Sequence, residues 1–364
     1  MQVSLLTCEP GTDVYELEGH TALRFRDTES NTDYTVNWGL FDFNSPGFIY
    51  RFVKGETDYM CGAFPTARFL ASYQYEGRRV TEQILNLTPE QVETLYRLVA
   101  DNLRAENCSY RYKYLTDNCA TRPLTLLERA IGHKPEANPD STTVTTWRNE
   151  MRHYHRNYPW YQFGIDLALG SRLDKKITSH DRTFAPIYLR DYLEDSGISG
   201  EPVELLPATD FGQPYGPTPW ILTPMAAAIF ILLITISVIA LKKKWPTLYK
   251  VYTSLFYTLM ALAGAVIVFL VVISEHEATT PNWLLLWLNP LTIIPAVAIW
   301  LKKLNRAVFY YQIVNFVCLI VLLFIFAIGI QSPNPSFWPW MLSDIILATN
   351  YIWSNRCIAN RHRS

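Results

Sequence analysis

The stretch that decides how the first half of this chain folds is YRYKYLTDNCATR, residues 110–122. Its cysteine, Cys119, precedes a segment in which apolar residues recur at helical spacing up to Ile131, and Gly132 suits the end of that helix. A thiol in the first turn of a helix has a depressed pKa, because unpaired backbone N–H groups stabilise the thiolate. Cys119 is therefore a candidate nucleophile, and the alternative is a buried structural cysteine.

Composition divides the chain of 364 residues into two parts, which is enough length for two domains. Residues 1–219 are polar, whereas 220–354 hold long apolar runs, and the net charge of -1 argues against a general nucleic-acid binder. The six cysteines lack zinc-site spacing, so we expect no metal and no cofactor. A disulfide among Cys8, Cys61 and Cys108 is possible if the first domain lies outside the cytoplasm.

Alternating and helical patterns predict strands and helices in the polar part. Residues 3–8 suit a strand, and His20 to Arg26 alternate strictly, so that His20 and Leu23 lie on opposite faces. Residues 34–41 suit a second strand, which predicts a hairpin. A capping box with proline at the first helical position begins a helix predicted at 89–104.

A nucleophilic cysteine needs a general base and a polar group that orients the base. His20 is the best candidate base, and Gly19 beside it is expected to leave open space for a substrate. Asn37 on the neighbouring strand is placed to hold the second imidazole nitrogen. Asn118, or backbone N–H groups at the start of the helix, would supply an oxyanion hole. A Cys–His–Asn set is a known solution for thiol catalysis.

Apolar segments in the second part approach or exceed the ~20 residues that cross a ~30 Å hydrocarbon core. The loop that holds Lys242 and the loop that holds Lys302 are basic, whereas 274–282 and 331–335 contain no Lys or Arg. This alternation is the positive-inside pattern, which predicts a cytoplasmic C-terminus and an extracytoplasmic first domain. The expected membrane segments are 220–241, 248–273, 283–301, 308–330 and 336–354.

The expected organisation is an extracytoplasmic (periplasmic) domain at 1–200, a Pro/Gly-rich linker at 201–219, a five-helix membrane domain at 220–354 and a cytoplasmic basic tail at 355–364. Since an exported domain needs a signal that is not seen before the first strand, we expect that a signal peptide has been removed.

Several polar residues are ambiguous from the sequence alone. His153 and His155 are taken as interfacial or structural. The asparagines of the membrane segments suit hydrogen bonds between helices, whereas Asp344 is a functional candidate because carboxylates are costly inside a membrane. His276, in the 274–282 loop, is a candidate contact for a lipid headgroup.

Five ordered blocks resemble one known family, the Lnb-type lipoprotein N-acyltransferases. They are GHTALR at 19–24, NWGLFDF at 37–43, RFVKGETDY at 51–59, YEGR at 75–78 and DNCATR at 117–122. The resemblance implies an α+β thiol domain similar to a permuted NlpC-like (papain-type) hydrolase, with histidine before cysteine in the chain. It also implies an all-α polytopic membrane domain of about five helices, as in Bacteroidetes members, in the bacterial inner membrane.

The resemblance implies that Cys119 is the nucleophile and His20 the base of a ping-pong acyl transfer. A membrane phospholipid would donate the acyl chain to the thiol, and the α-amine of a diacylglyceryl lipoprotein would accept it. Candidate substrate contacts are Arg24, Lys54, Tyr59, Arg78, Arg79, Arg122 and His276.

Two other functions remain open at this point. A membrane-anchored NlpC-like cysteine peptidase that acts on cell-wall peptides would hydrolyse soluble peptides without the membrane half. A receptor or assembly factor would use Cys119 only structurally, and it would keep full function after Cys119→Ser or His20→Ala.

Overall fold

The structure is a computed structural model that describes residues 1–136 and 145–356. The chain forms two compact units. One comprises Met1–Asn157 and Lys176–Gly216, and the other comprises Tyr158–Lys175 and Pro217–Ser364. Residues 158–175, expected within the first domain, thus group with the second unit. The tail expected at 355–364 falls largely outside the described residues.

The first unit is built from antiparallel strands and helices. The strands are β1 (Gln2–Cys8), β2 (His20–Asp27), β3 (Thr32–Leu40), β4 (Asp58–Pro65), β5 (Val80–Ile84), β6 (Ser109–Arg111), β7 (Thr145–Thr146), β8 (Lys176–Ile177) and β9 (Val203–Leu206). The helices are α1 (Phe48–Lys54), α2 (Thr66–Glu76), α3 (Pro89–Asn102), α4 (Thr121–Ile131), α5 (Trp147–Tyr154), α7 (Ser179–Arg182) and α8 (Pro186–Asp195).

Seven of these strands form one antiparallel sheet in the order β6-β4-β3-β2-β1-β5-β9, and β7 pairs with β8. The predicted hairpin of β2 and β3 is confirmed, with Ala22 opposite Asn37. His20 lies opposite Cys8 of β1. The expected linker at 201–219 is partly sheet, because β9 within it pairs with β5 at the edge.

Side chains from the two faces of the sheet enter different hydrophobic clusters, as the alternation predicts. Leu23 and Phe25 pack in the larger cluster, with residues of α3, α4 and α8. Leu6 and Ala22 pack in the other, with Phe69 of α2. Both faces of the sheet are therefore covered near the start of β2.

Local signals in the sequence account for two helices of this unit. Thr88 forms the predicted capping box at the start of α3, with Pro89 in the first turn. Gly132 ends α4 at a φ of +84°, a conformation that costs glycine little.

Cys8, Cys61 and Cys108 are free thiols, so none of these three forms the disulfide that was considered.

The second unit is helical. Its helices are α6 (Pro159–Ala168), α9 (Pro224–Leu241), α10 (Pro246–Val272), α11 (Ile293–Ala298), α12 (Asn305–Ala327) and α13 (Phe337–Ser354). Among the described residues, three helical stretches are long and apolar enough to cross a membrane: Pro224–Leu241, Pro246–Val272 and Lys302–Ala327.

The membrane segment expected at 283–301 is not one continuous helix. This segment is broken into short turns of 3₁₀-helix at Trp283–Leu286 and Pro290–Thr292, followed by the six residues of α11. Pro290 and Pro295 lack the N–H groups that a continuous helix would need. The segment expected at 336–354 forms α13, whose Asp344 and Asn350 make it less apolar than the three candidate spans.

A buried polar centre connects three helices of the second unit. The Tyr257 hydroxyl of α10 and the Asn315 amide of α12 each donate a 2.9 Å hydrogen bond to Asp344 Oδ1 of α13. Asp344 is fully buried. The predicted hydrogen bond between helices is therefore present at Asn315. The two bonds to Asp344 hold α10, α12 and α13 together.

Candidate active site

Cys119 lies just before α4 rather than in its first turn. The helix begins at Thr121 and its N-cap residue is Ala120. Cys119 is half-buried. The N-terminus of α4 therefore lowers the pKa of Cys119 less than the sequence predicted, because the effect of a helix end falls off quickly away from the first turn.

Asn118 shapes the loop that presents the thiol. Its side-chain oxygen accepts hydrogen bonds from the backbone N–H groups of Ala120 at 2.8 Å and Thr121 at 2.9 Å. Its amide nitrogen donates to the carbonyl groups of Tyr114 at 2.8 Å and Phe184 at 2.9 Å. Both amide protons are thus used, and Asn118 has none left for the expected oxyanion hole.

Thr21 of β2 fastens the cysteine loop to the sheet. Its hydroxyl donates a 2.6 Å hydrogen bond to the carbonyl oxygen of Cys119. The backbone N–H groups of Thr21 and Cys119 both hydrogen-bond the sulfur and oppose the rise in its pKa. These two backbone groups therefore favour the thiolate form of Cys119.

His20 is held by Asn37, as the sequence predicts. The distance between His20 Nε2 and Asn37 Oδ1 is 2.5 Å. Because an amide oxygen only accepts, the bond requires a proton on Nε2. The neutral imidazole therefore keeps Nδ1 unprotonated, as the atom that can accept the thiol proton.

Gly39, at the irregular end of β3, separates the thiol from the imidazole. A Cβ atom added there would lie 3.7 Å from Cys119 Cβ and 4.0 Å from His20 Cε1. The two side chains therefore border one small space, which the absence of a side chain at Gly39 keeps open. Gly19 does not provide the expected space, because a Cβ there would lie 2.5 Å from the carbonyl oxygen of Cys8.

Burial sets the resting protonation of the pair. It raises the pKa of the Cys119 thiol to about 12, against the opposing hydrogen bonds to the sulfur. It lowers the pKa of His20 to about 4, against the opposing bond to Asn37. The depressed pKa expected for Cys119 is therefore wrong for the free protein. Both groups are neutral at neutral pH, and the proton must move as the sulfur attacks.

Comparison with protein families accounts for both parts of the chain. The Lnb N-terminal periplasmic domain matches residues 1–152, and the five-helix Lnb transmembrane domain matches residues 217–356. The chain belongs to the Lnb family. It is a membrane protein with a periplasmic N-terminal domain. No curated protein and no solved structure matches it.

Arg78 of this Lnb-type chain is buried close enough to the candidate pair of Cys119 and His20 to affect both groups. Its guanidinium pairs with Glu16 at 2.9 Å and Glu76 at 3.1 Å. The positive charge lowers the pKa of His20, where burial is the main cause, and it opposes the rise in the pKa of Cys119. Its Nη2 makes no hydrogen bond within the described part of the chain. Arg78 therefore acts on the pair through its charge.

Other candidate substrate contacts are already paired inside the first unit. Arg24 binds Asp33 at 2.5 Å and Glu82 at 3.1 Å, and Arg122 binds Asp117 at 2.7 Å. Lys54 pairs with Glu56 at 2.5 Å, and Arg79 pairs with Glu204 at 2.8 Å. Tyr59 is buried and stacks on Tyr112, with ring centroids 4.3 Å apart. His276 belongs to the loop after α10 in the second unit, where its carbonyl accepts a 3.1 Å bond from Thr279.

The structure also shows a carboxylate that sequence reasoning missed. Glu18, two residues before His20, is 8% exposed and binds His155 Nε2 through Oε1 at 2.8 Å. His155 is fully buried, so its expected structural character fits this contact. The signal available in the sequence was the acidic residue Glu18 at the start of the EGHTALR stretch.

The described residues include no group of three or more metal-ligating His, Cys, Asp or Glu side chains.

Proposed function

We propose that this Lnb-type protein is a lipoprotein N-acyltransferase that works through a Cys119 thioester. The observation that carries the proposal is the site itself: the Cys119 thiol and His20 border one space, and Asn37 holds the imidazole from behind. This is the arrangement that acyl transfer through a thiol requires. The family match supports the choice of lipoproteins as acceptors.

In the first half-reaction, His20 Nδ1 takes the thiol proton as Cys119 Sγ attacks the ester carbonyl of a phospholipid. The backbone N–H groups of Thr21 and Cys119 are the proposed donors to the oxyanion. Collapse breaks the ester C–O bond, and imidazolium returns the proton to the departing lysophospholipid oxygen. The enzyme is left as a thioester with neutral His20.

In the second half-reaction, the α-amine of a diacylglyceryl lipoprotein attacks the thioester carbonyl. A C–N bond forms, the C–S bond breaks, and His20 carries a proton from nitrogen to the leaving sulfur. The product is an N-acylated lipoprotein and a free Cys119 thiol.

An exposed apolar segment supports a lipid substrate over a soluble peptide. The 41–53 segment follows Leu40, the last residue of β3, and contains aromatic rings in contact, such as Phe41 and Phe43 with centroids 4.5 Å apart. Phe43 is 55% exposed and Ile49 is 78% exposed. Such an exposed apolar surface in the first unit suits acyl chains.

We place the protein in the inner membrane with a cytoplasmic C-terminus. The basic loop around Lys242 and the loop at 274–282, which lacks Lys and Arg, support this orientation. Both proposed substrates, a phospholipid and a lipoprotein, would then be available in the outer leaflet of the same membrane.

Intact-mass spectrometry of the purified protein after exposure to phospholipid tests the proposal. We expect an adduct of acyl-chain mass that hydroxylamine removes and that Cys119→Ala abolishes. Cys108→Ala is the matched control, since Cys108 is another half-buried free thiol of the same unit. Lipoprotein acylation that survives Cys119→Ala would contradict the mechanism. Hydrolysis of soluble peptides without any adduct would favour the peptidase.

A further inference from the structure

The second half-reaction of the proposed function needs a base beyond His20. Free α-amino groups have pKa values of about 7.7–8.0, so the acceptor arrives mostly as an ammonium ion at neutral pH. Its nitrogen carries three protons, whereas the amide product carries one. His20 transfers one of the two lost protons to the leaving sulfur of Cys119. The other proton must leave the nitrogen before attack and needs its own acceptor.

Glu18 is a buried carboxylate two residues before His20. Strand β2 begins two residues after it, at His20, and only 8% of the Glu18 surface is exposed. Its Oε1 accepts hydrogen bonds from the Tyr114 hydroxyl and from His155 Nε2. Its Oε2 accepts no hydrogen bond from any residue in the described ranges 1–136 and 145–356. The carboxylate is thus fixed through one oxygen while the other stays available.

The charge of Glu18 reaches the nucleophile. Burial is the main cause of the raised pKa of the Cys119 thiol, and the negative charge of Glu18 raises it further. A carboxylate in this place therefore opposes formation of the thiolate in the first half-reaction. The same charge attracts a cation, which gives it a use in the second half-reaction.

We propose that Glu18 is the binding site for the ammonium group of the acceptor and takes its first proton. Tyr114 and His155 position the carboxylate. The ammonium nitrogen binds Oε2 and gives it one proton, and the neutral amine then attacks the thioester carbonyl. The second proton passes from nitrogen through His20 to Cys119 Sγ, and the proton on Glu18 leaves to solvent. This assignment rests on the proposed acyl transfer and names the residue that selects a cationic acceptor.

A second Glu–His pair of the first unit provides a matched control. Glu128 of α4 binds His180 Nε2 through Oε1 at 2.5 Å, and the Glu128 side chain is 14% exposed. This pair has the same chemistry as Glu18 with His155, but its charge is not among those that shift the pKa of Cys119. Glu128→Gln therefore removes a Glu–His contact without changing the site.

The test separates the two half-reactions in the full-length protein. Wild type, Glu18→Gln and Glu128→Gln are acylated with phospholipid and freed of the donor. Each acyl-enzyme is then mixed with a synthetic diacylated lipopeptide that has a free amine, or with hydroxylamine, which is uncharged at neutral pH. We expect Glu18→Gln to form the thioester at least as fast as wild type. Transfer to the lipopeptide should slow at least tenfold, whereas hydroxylamine cleavage and all rates of Glu128→Gln stay unchanged.

Two results would overturn the assignment to Glu18: lipopeptide transfer at the wild-type rate in Glu18→Gln, or an equal loss with lipopeptide and hydroxylamine. If Glu18→Gln does not fold, Tyr114→Phe serves instead, since it removes one donor to the carboxylate and keeps the charge. It should slow lipopeptide transfer selectively, and equal rates for both acceptors would again overturn the assignment. Failure of the wild type to form any thioester would reject the proposed function itself.

Discussion

At the scale of single residues, desolvation outweighs the local groups that would ionise Cys119 and His20, the candidate catalytic pair. Burial holds Cys119 as a thiol and His20 as a neutral imidazole, although Asn37 and two backbone N–H groups favour the charged forms. The pair is therefore not a preformed thiolate–imidazolium couple. Proton transfer has to accompany attack on the substrate, which limits reaction of the thiol with other electrophiles.

This protonation state predicts a distinctive pH profile for alkylation of Cys119 by iodoacetamide. With the thiol pKa at about 12 rather than 9.0, the thiolate fraction at pH 7 is smaller by about 10³. The rate should rise with pH through the neutral range without a plateau, because His20 gains a proton only below about pH 4. Peptide mapping of the adduct at each pH measures this, with Cys119→Ala to assign it. A plateau that extends below pH 7 would indicate a preformed ion pair.

At the scale of elements, the end of β3 lies beside both Cys119 and His20. Gly39 has a φ of +92°, where a side chain is strained, and it faces both reacting groups. The backbone here serves two purposes. It shifts the register between β3 and β4, and it leaves a space between Cys119 and His20 that any other residue would partly fill.

Gly39→Ala should therefore impair catalysis as well as stability. Left-handed strain of about 1–2 kcal/mol lowers the free energy of unfolding, and the new methyl group obstructs the carbonyl carbon during attack. Gly197→Ala is the control, since its φ of +71° imposes similar strain and a Cβ there meets nothing within 4 Å. Chemical denaturation and the rate of acyl-enzyme formation are measured for both. Equal rates in the two variants would contradict the role given to Gly39.

The exposed apolar surface of α1 leads to a second prediction at this scale. Ile49→Glu should leave the melting temperature unchanged, because the side chain is 78% exposed. It should raise KM for phospholipid in mixed micelles about tenfold or more, since burying such a side chain contributes about 1.5–3 kcal/mol. Val203→Glu, at an edge-strand position that is 62% exposed, is the control. An unchanged KM would mean that acyl chains bind elsewhere.

At the scale of the whole molecule, the chain alternates between its two units. It leaves the first unit after Asn157, returns at Lys176 and leaves again after Gly216. Helix α6 lies in the segment 158–175, which belongs to the second unit. Its Asp166 accepts a 2.8 Å hydrogen bond from Asn334 of the same unit. A cut at the expected linker would therefore separate α6 from its own unit.

The proposed orientation can be tested by cysteine labelling in a chain whose native cysteines are replaced. Lys243→Cys, in the basic loop between α9 and α10, should react with an impermeant maleimide only after lysis. Glu275→Cys, in the loop after α10, should react in intact spheroplasts. Both positions are exposed, so access to reagent decides the outcome. The reverse pattern would place the N-terminal domain in the cytoplasm and rule out the proposed orientation.

Much of the fold and the central residues of the site are predictable from sequence, because they depend on periodicity and short-range signals. Strict alternation around Leu23 predicted the two faces of β2, and the capping box at Thr88 predicted the start of α3. His20 and Asn37 were paired correctly because neighbouring strands of a hairpin bring nearby residues together. The break at 283–301 was missed because average hydropathy does not register the missing N–H groups of Pro290 and Pro295.

The sequence by itself determined that Cys119, His20 and Asn37 belong to one site, and that a polar domain precedes an apolar helical one. Only the tertiary structure decided how that site is charged and enclosed. Desolvation depends on every atom packed around a group, so the neutral state of the pair could not be read from the helix that follows Cys119. The contact of Glu18 with His155 joins residues 137 positions apart, and no local pattern records it. The space at Gly39 is likewise a property of three separate segments that meet in the fold.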